Sequence, residues 1–384
     1  MLPHPIEASP KAAAVWQWYN YTEALAAGQG KTLLRINIDE TSVCLHPGCG
    51  RGAVFASRKW LRSGGGQHVP KWKQRRYMSH VAVMCDRAEA QAALPQFVIG
   101  NRSTLQLRHI AALRRSRPMN VRLIRRSSAW NTAKLTAYLM RQISDALAGS
   151  GVLSCDVQVV VLLDAARIHF APEVLRACKA VHFWLIVVPA RMTFLLQPLD
   201  THVFAVYKAR LQRAYQSARS RSHAANGDLC IEEFLQCIDH AIRSVLEERS
   251  WASAFDSDGF GEHQRMLGCR VRAALQLSVC PAIPSTRPSD DQLRQCFPRR
   301  ARPNFALLWA LFEEPSTPAP LPPLVHRSGD DGLVPIHGAA PARALATRSR
   351  RRLEVADHAV LRLGPGLDGA PPLLRRYRRP LDLD

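Results

Sequence analysis

Asp39, Asp164 and Asp200 are the residues whose types and spacing could do chemistry. Asp39 closes the run Leu33-Leu34-Arg35-Ile36-Asn37-Ile38, and Asp164 closes Val157-Gln158-Val159-Val160-Val161-Leu162-Leu163. Asp200 ends the turn motif Gln197-Pro198-Leu199-Asp200. The first two read as carboxylates on the ends of buried strands. A carboxylate is costly to desolvate without a partner. Several brought together repel one another unless a cation joins them, and hard divalent ions such as Mg²⁺ take such oxygen ligands. The chain around them is strongly basic, with 52 Lys and Arg against 31 Asp and Glu and a formal net charge of +21. That charge favours a polyanion, nucleic acid first and an acidic membrane surface second. Acidic candidate ligands inside a basic protein point to an enzyme that cuts nucleic acid.

The elements that would position these residues follow from the hydrophobic pattern. Residues 1–30 carry Trp16, Trp18, Tyr19 and Tyr21 in a short helix. The β signal begins at Leu33. Further strands are predicted near Ala53–Ala56, over Ser79–Cys85 and over Gln96–Ile99. The arginine-rich stretch 114–128 reads as an exposed loop with one short strand. Asn131–Leu147 reads as a helix, because Leu135, Leu139, Ile143 and Leu147 recur every four residues and Thr132 or Asn131 can cap it. Val157–Leu163 is a continuous apolar run, the pattern of a central strand covered on both faces. A short helix over Pro172–Ala180 and a buried strand over Phe183–Val188 follow. This alternation predicts an α/β sheet with helices packed on it. Beyond Asp200 the chain turns helical, over Val203–Tyr215 and Ile231–Arg249.

At 384 residues and 47% hydrophobic, the chain can hold one large domain or two smaller ones around a real core. The expected organisation is a helical lead over 1–30, a catalytic domain over 31–225 and a helical extension over 226–312. Residues 313–384, Pro-rich and Arg-clustered with few aromatics, are expected to be a disordered tail. The ten cysteines are dispersed without a CxxC pair. With no signal-peptide pattern and no apolar run long enough to span a bilayer, a reducing intracellular compartment is expected and a membrane partner is not. Cys44 and Cys49 could be half of a zinc site, but no second half with fitting spacing follows, so a plain loop is expected there.

Three segments resemble the catalytic motifs of the DDE/DDD superfamily of transposase endonucleases. Ile38-Asp39-Glu40-Thr41 is similar to the first. Leu162-Leu163-Asp164-Ala165-Ala166-Arg167-Ile168-His169 is similar to the second, where His follows a strand-end Asp by five residues. Val188-Pro189, then Thr193, then Gln197-Pro198-Leu199-Asp200, is similar to the third. Phe204 and Lys208 follow at familiar offsets, and Trp251, Phe255 and Gly259 echo the region after the core. The 35 residues between Asp164 and Asp200 fit the pogo-like branch of the mariner superfamily. The resemblance covers roughly residues 33–260.

The resemblance implies an RNase H-like fold with a mixed five-stranded sheet. Asp39 would lie on the first strand, Asp164 on the fourth and Asp200 at the start of the helix after the fifth. It implies a nuclear enzyme that acts on DNA, as a homo-oligomer when active, with Asp39, Asp164 and Asp200 binding two Mg²⁺ ions and Mn²⁺ able to substitute. Each aspartate also has a structural reading as a strand-end or turn residue, and Asp200 a further one as an N-cap. Glu40 is expected outside the metal's ligand shell, since adjacent strand residues face opposite ways. His169 could contact DNA or a carboxylate, while Thr193 and Gln197 shape the loop. Lys208, Arg210, Arg125 and Arg126 are candidate DNA contacts. The chain departs from the family at Ala165, where Asn is usual, and at Asp86–Gln91, which replaces a glycine turn. No helix-turn-helix pair is visible ahead of the first strand, so recognition of specific element ends is not expected of these residues. A second reading is a non-catalytic descendant that binds nucleic acid or a partner.

Overall fold

The computed structural model describes residues 5–44, 77–114, 121–221, 229–247, 249–261, 266–298 and 303–313. The expected strand near Ala53–Ala56, most of the Cys44–Cys49 loop and the expected tail lie outside these. A six-stranded mixed sheet forms the centre, in the order β4-β3-β2-β1-β5-β6. Its strands are β1 (Thr32–Cys44), β2 (Tyr77–Cys85), β3 (Gln96–Asn101), β4 (Val121–Arg126), β5 (Val157–Asp164) and β6 (Trp184–Val188). β1, β2 and β3 run antiparallel, while β5 and β6 join β1 in parallel. This is the RNase H-like arrangement with one more strand than expected.

The additional strand is β4. The one short strand expected within the arginine-rich stretch 114–128 is this one: Val121, Leu123 and Ile124 are buried, and it pairs in parallel with β3 at the sheet's edge. Val121 and Leu123 share one face of this edge strand, and Ile124 lies on the other with Arg122. Asp164 consequently lies on the fifth strand in chain order, and Asp200 follows the sixth.

The helices cover both faces. α1 (Pro5–Gly28) is 24 residues long rather than short. Trp16, Trp18 and Tyr19 are buried in it, and it packs on β1 and β6. Burying side chains of this size contributes about 1.5–3 kcal/mol each. α2 (Ala88–Ala93) and α3 (Leu107–Arg114) connect the sheet's first half. α4 (Ala133–Gly149) starts at Thr132, whose side chain accepts from the Leu135 amide, and it buries the predicted Leu135, Leu139, Ile143 and Leu147. α5 (Pro172–Ala180) begins with Pro at its first turn, where a missing N–H costs nothing.

After β6 come α6 (Thr193–Leu196), a π-helical turn over Leu199–Val203, and α7 (Phe204–Arg221). α8 (Ile231–Val245) packs against α7 and starts with a reciprocal cap between Cys230 and Glu233. Four short helices complete the described chain: α9 (Ala252–Ser257), α10 (Cys269–Ala274), α11 (Asp290–Arg294) and α12 (Phe305–Trp309).

These last elements fold back on the first. Gln17 donates to the backbone of Thr286, Asn20 to that of Ile283, and the Trp16 indole to the Asp258 carbonyl. Gly259 has φ +90°, and a Cβ there would overlap the Trp16 indole, so both conformation and space call for glycine. Arg35 of β1 joins the two regions by ion pairs to Asp86 at 2.7 Å and Asp256 at 2.9 Å. The Asp86–Gln91 departure from the family pattern therefore supplies a buried carboxylate partner and the start of α2. Among the described residues no helix is long and apolar enough to cross a membrane.

Candidate active site

The site is built by register. In the parallel pair of β1 and β5, Asn37 lies opposite Leu162 and the pairing ends there. Two residues further along each strand stand Asp39 and Asp164. A step of two returns a side chain to the same face, so both carboxylates project on the face that carries Asn37. β1 does not stop at Asp39. It continues to Cys44, paired only with β2, because Thr41, Ser42 and Val43 still find antiparallel partners after β5 has ended. Asp39 therefore sits where one neighbouring strand is lost, with an open flank on a buried strand.

Asn37 brings in the third carboxylate. This side chain is fully buried. Its Nδ2 donates to the Leu162 carbonyl at 3.0 Å, and its Oδ1 accepts from the Leu199 amide at 2.8 Å. One residue thus ties β1 to β5 and both to the turn carrying Asp200. Asp200 is the second residue of that turn, whose N-cap position is held by Pro198, so Asp200 lies inside the turn rather than at its cap. π-Helical turns are uncommon and concentrate at functional sites.

A buried carboxylate holds the turn from behind. Asp258 is fully buried and accepts from Thr201 Oγ1 at 2.6 Å. It also meets His202 Nε2 at 3.2 Å and an Arg270 guanidinium nitrogen at 2.8 Å. Arg270 in turn donates to the carbonyls of Phe194 and Leu195 in α6. The residues that fix Asp200 are therefore Asn37 and Asp258, neither of them read from the sequence as part of the site. The Asn37-x-Asp39 spacing was the only local signal. Asp258 lies 58 positions from Asp200, with nothing in the sequence to connect them.

Electrostatics support the grouping. The Asp39 carboxyl is pushed well above the usual carboxylate range, first by burial and then by the charges of Asp200 and Asp164. The Glu40 amide, which donates to Asp39 Oδ1 at 2.8 Å, works weakly against that rise. Asp164 behaves oppositely. Burial raises it, but His169, with Nδ1 2.5 Å from Oδ1, and the Ala166 amide outweigh burial and hold the group below its ordinary value. His169 is itself buried, so of its two open roles the structure displays the carboxylate contact.

Glu40 also belongs to this neighbourhood. Burial raises its carboxyl, which accepts from the Ser79 side chain and the Asn131 amide and feels the charges of His169 and Asp164. Thr193 opens α6, and Gln197 is fully buried with its backbone carbonyl accepting from Thr201.

The fit to divalent metal is one of donor chemistry. The Asp39 carboxyl is destabilised by burial and by the charges of Asp200 and Asp164, the strain a cation relieves. Among the described residues no three His, Cys, Asp or Glu side chains stand close enough to hold an ion as placed. Among the DNA-contact candidates, Lys208 and Arg210 are exposed on α7, and the Lys208 ammonium lies 5.8 Å from the Phe204 ring centre. Arg125 and Arg126 are half-buried; they bond the Leu105 carbonyl at 2.9 Å and Thr132 Oγ1 at 3.0 Å.

No curated protein is a significant sequence match to this chain. Among solved structures, a Mos1 transposase paired-end complex with left transposon end is similar at 13% identity, with a TM-score of 0.31 over 65% of this chain. The match spans 62% of that chain, less than two thirds of its length. Residues 78–255 match the family model of the DDE superfamily endonuclease, a segment that contains Asp164 and Asp200 and starts one strand after Asp39.

Proposed function

We propose that this chain is a transposase-derived, divalent-metal-dependent DNA endonuclease and strand transferase of the pogo-like branch, acting in the nucleus and as a homo-oligomer. The observation that supports the reading is that the Asp39 carboxyl is raised by burial and then by the charges of Asp200 and Asp164. Asp39, Asp164 and Asp200 would hold Mg²⁺, or Mn²⁺ in its place. Ions bound there would neutralise charge at a scissile phosphate and supply a nucleophile at neutral pH.

The chain's own residues do the rest. His169 keeps Asp164 ionised and oriented. Asn37 and Asp258 fix the turn that aims Asp200. Lys208 and Arg210 lie on the exposed face of the following helix, where phosphates of a bound duplex would gain from them. The family resemblance and the basic charge support DNA as the partner.

A second reading, a non-catalytic nucleic-acid-binding descendant, is favoured by one observation. Asp164 is already engaged by His169, and no ligand set stands assembled among the described residues. A plasmid-nicking assay separates the two. The purified protein is expected to convert supercoiled DNA to the nicked form with Mg²⁺ or Mn²⁺, and excess chelator should abolish it. Binding of the plasmid without metal-dependent nicking would favour the second reading.

A further inference from the structure

Among the described residues three that are not glycine hold a left-handed backbone: His182, Gln276 and Arg191, with φ of 56°, 55° and 67°. The first two have a local cause. Each is the second residue past a helix, α5 or α10. The next amide closes back on that helix, Phe183 onto the Cys178 carbonyl and Leu277 onto that of Arg272. Arg191 ends no helix. It is the third residue of the turn Pro189–Met192, closed by the Met192 amide on the Pro189 carbonyl at 3.0 Å. Glycine or asparagine suits a left-handed third position, because a Cβ there crowds the following carbonyl. The turn is anchored on both sides of Arg191. The Ala190 amide donates to the Cys296 carbonyl at 2.9 Å, and Met192 is fully buried.

Nothing within the described protein offsets that strain. Arg191 is exposed, and among the described residues its guanidinium has no hydrogen-bond, ion-pair or ring partner. Backbone strain of this kind persists where the position has a use. The register gives its place. Asp164 lies opposite Val188 at the end of the β5–β6 pairing, and Arg191 follows Val188 by three residues. Strand spacing and chain length put its Cα within about 16 Å of that of Asp164. Arg167, three residues past Asp164, is likewise exposed and without a partner among the described residues. The chain thus leaves two paired strand ends carrying a guanidinium that no protein carboxylate neutralises. Phosphate oxygens match the guanidinium fork, and along one strand of a duplex they recur about every 3.4 Å of axis. A strand engaged at Asp164 therefore keeps further phosphates within that span. We propose that Arg191 binds a backbone phosphate of DNA flanking the cleavage site, and that its left-handed turn holds it there at a cost in stability. The inference rests on the nuclease reading above.

The test compares wild type, Arg191→Gly and Arg191→Lys in buffer with chelator. Thermal melting reads the strain, and fluorescence anisotropy on a labelled duplex over a series of salt concentrations reads the contact. Arg191→Gly removes the crowding and the charge together. It should melt roughly 1–3 °C above wild type and bind the duplex about five- to tenfold more weakly. Its slope of log affinity against log salt should be shallower by about 0.9. Arg191→Lys keeps both the charge and the crowding, so it should hold the wild-type slope and melt no higher. An Arg191→Gly protein with wild-type affinity and slope would overturn the proposal, and the side chain would then serve an acidic partner of another kind. One that melts no higher than wild type would also overturn it, since the turn would carry no strain. Failure of wild type to bind the duplex at any salt would instead remove the DNA reading, and this inference with it.

Discussion

Asp164→Asn is expected to lower metal-dependent nicking by at least about a thousandfold while the protein stays folded. The substitution keeps the shape and can still accept from the Ala166 amide, now at 3.1 Å from Oδ1. It removes the charge. A loss of that size corresponds to about 4 kcal/mol of transition-state stabilisation, within the several kcal/mol that metal-held charge neutralisation supplies. The folding cost should be small by comparison. The carboxylate is only half-buried and its ionic partner is a single imidazole. Nicking rates under saturating Mn²⁺, read beside thermal melting, separate the two. A variant that nicks at the wild-type rate would remove Asp164 from the chemistry.

The second large effect is predicted at Asp258. Asp258→Ala should cost about 3–5 kcal/mol of stability, because taking one partner from a buried charge network leaves the others uncompensated. Thr201, His202 and Arg270 all lose their shared acceptor. The Asp200 turn loses its rear support at the same time, so nicking should fall further than the loss of folded protein explains. Thr201→Val deletes only the 2.6 Å hydroxyl bond and should give a smaller version of both effects. Denaturant unfolding measures the first quantity, and nicking per folded molecule measures the second. An Asp258→Ala protein as stable and active as wild type would show that Asp200 is positioned by other means.

The sequence made the strands and their order legible because each is a short apolar run bounded by a polar residue or proline, with β5 the clearest case. α4 was legible from its four-residue repeat and its Thr132 cap. β4 was legible as one short strand within the arginine-rich stretch 114–128 but not as a sixth member of the sheet, because its buried Val121, Leu123 and Ile124 are interleaved with arginines. α1 was read as short because its aromatic cluster was visible but its length was set by packing against β1, β6 and α11, contacts far away in sequence.

The three aspartates were singled out together from their motifs. The strand-end reading of Asp39 was not correct, since the β1–β5 pairing ends at Asn37 while pairing to β2 carries β1 onward to Cys44. Asn37 and Asp258 escaped notice because a buried Asn in a strand and an Asp in a short helical turn have no local signature. Their role depends on which backbone groups the fold brings beside them.

The central claim is that Asp39, Asp164 and Asp200 form one cation site. Thermal melting of wild type and Asp39→Asn at pH 8, with chelator and then with Mn²⁺, tests it most directly. In chelator Asp39→Asn should melt above wild type, because the variant removes a buried charge that Asp164 and Asp200 oppose. Mn²⁺ should raise the melting temperature of wild type and leave that of Asp39→Asn nearly unchanged, since an ion that binds only the folded state stabilises it in proportion to its occupancy. An Asp39→Asn protein that melts lower in chelator and gains as much from Mn²⁺ as wild type would contradict the site.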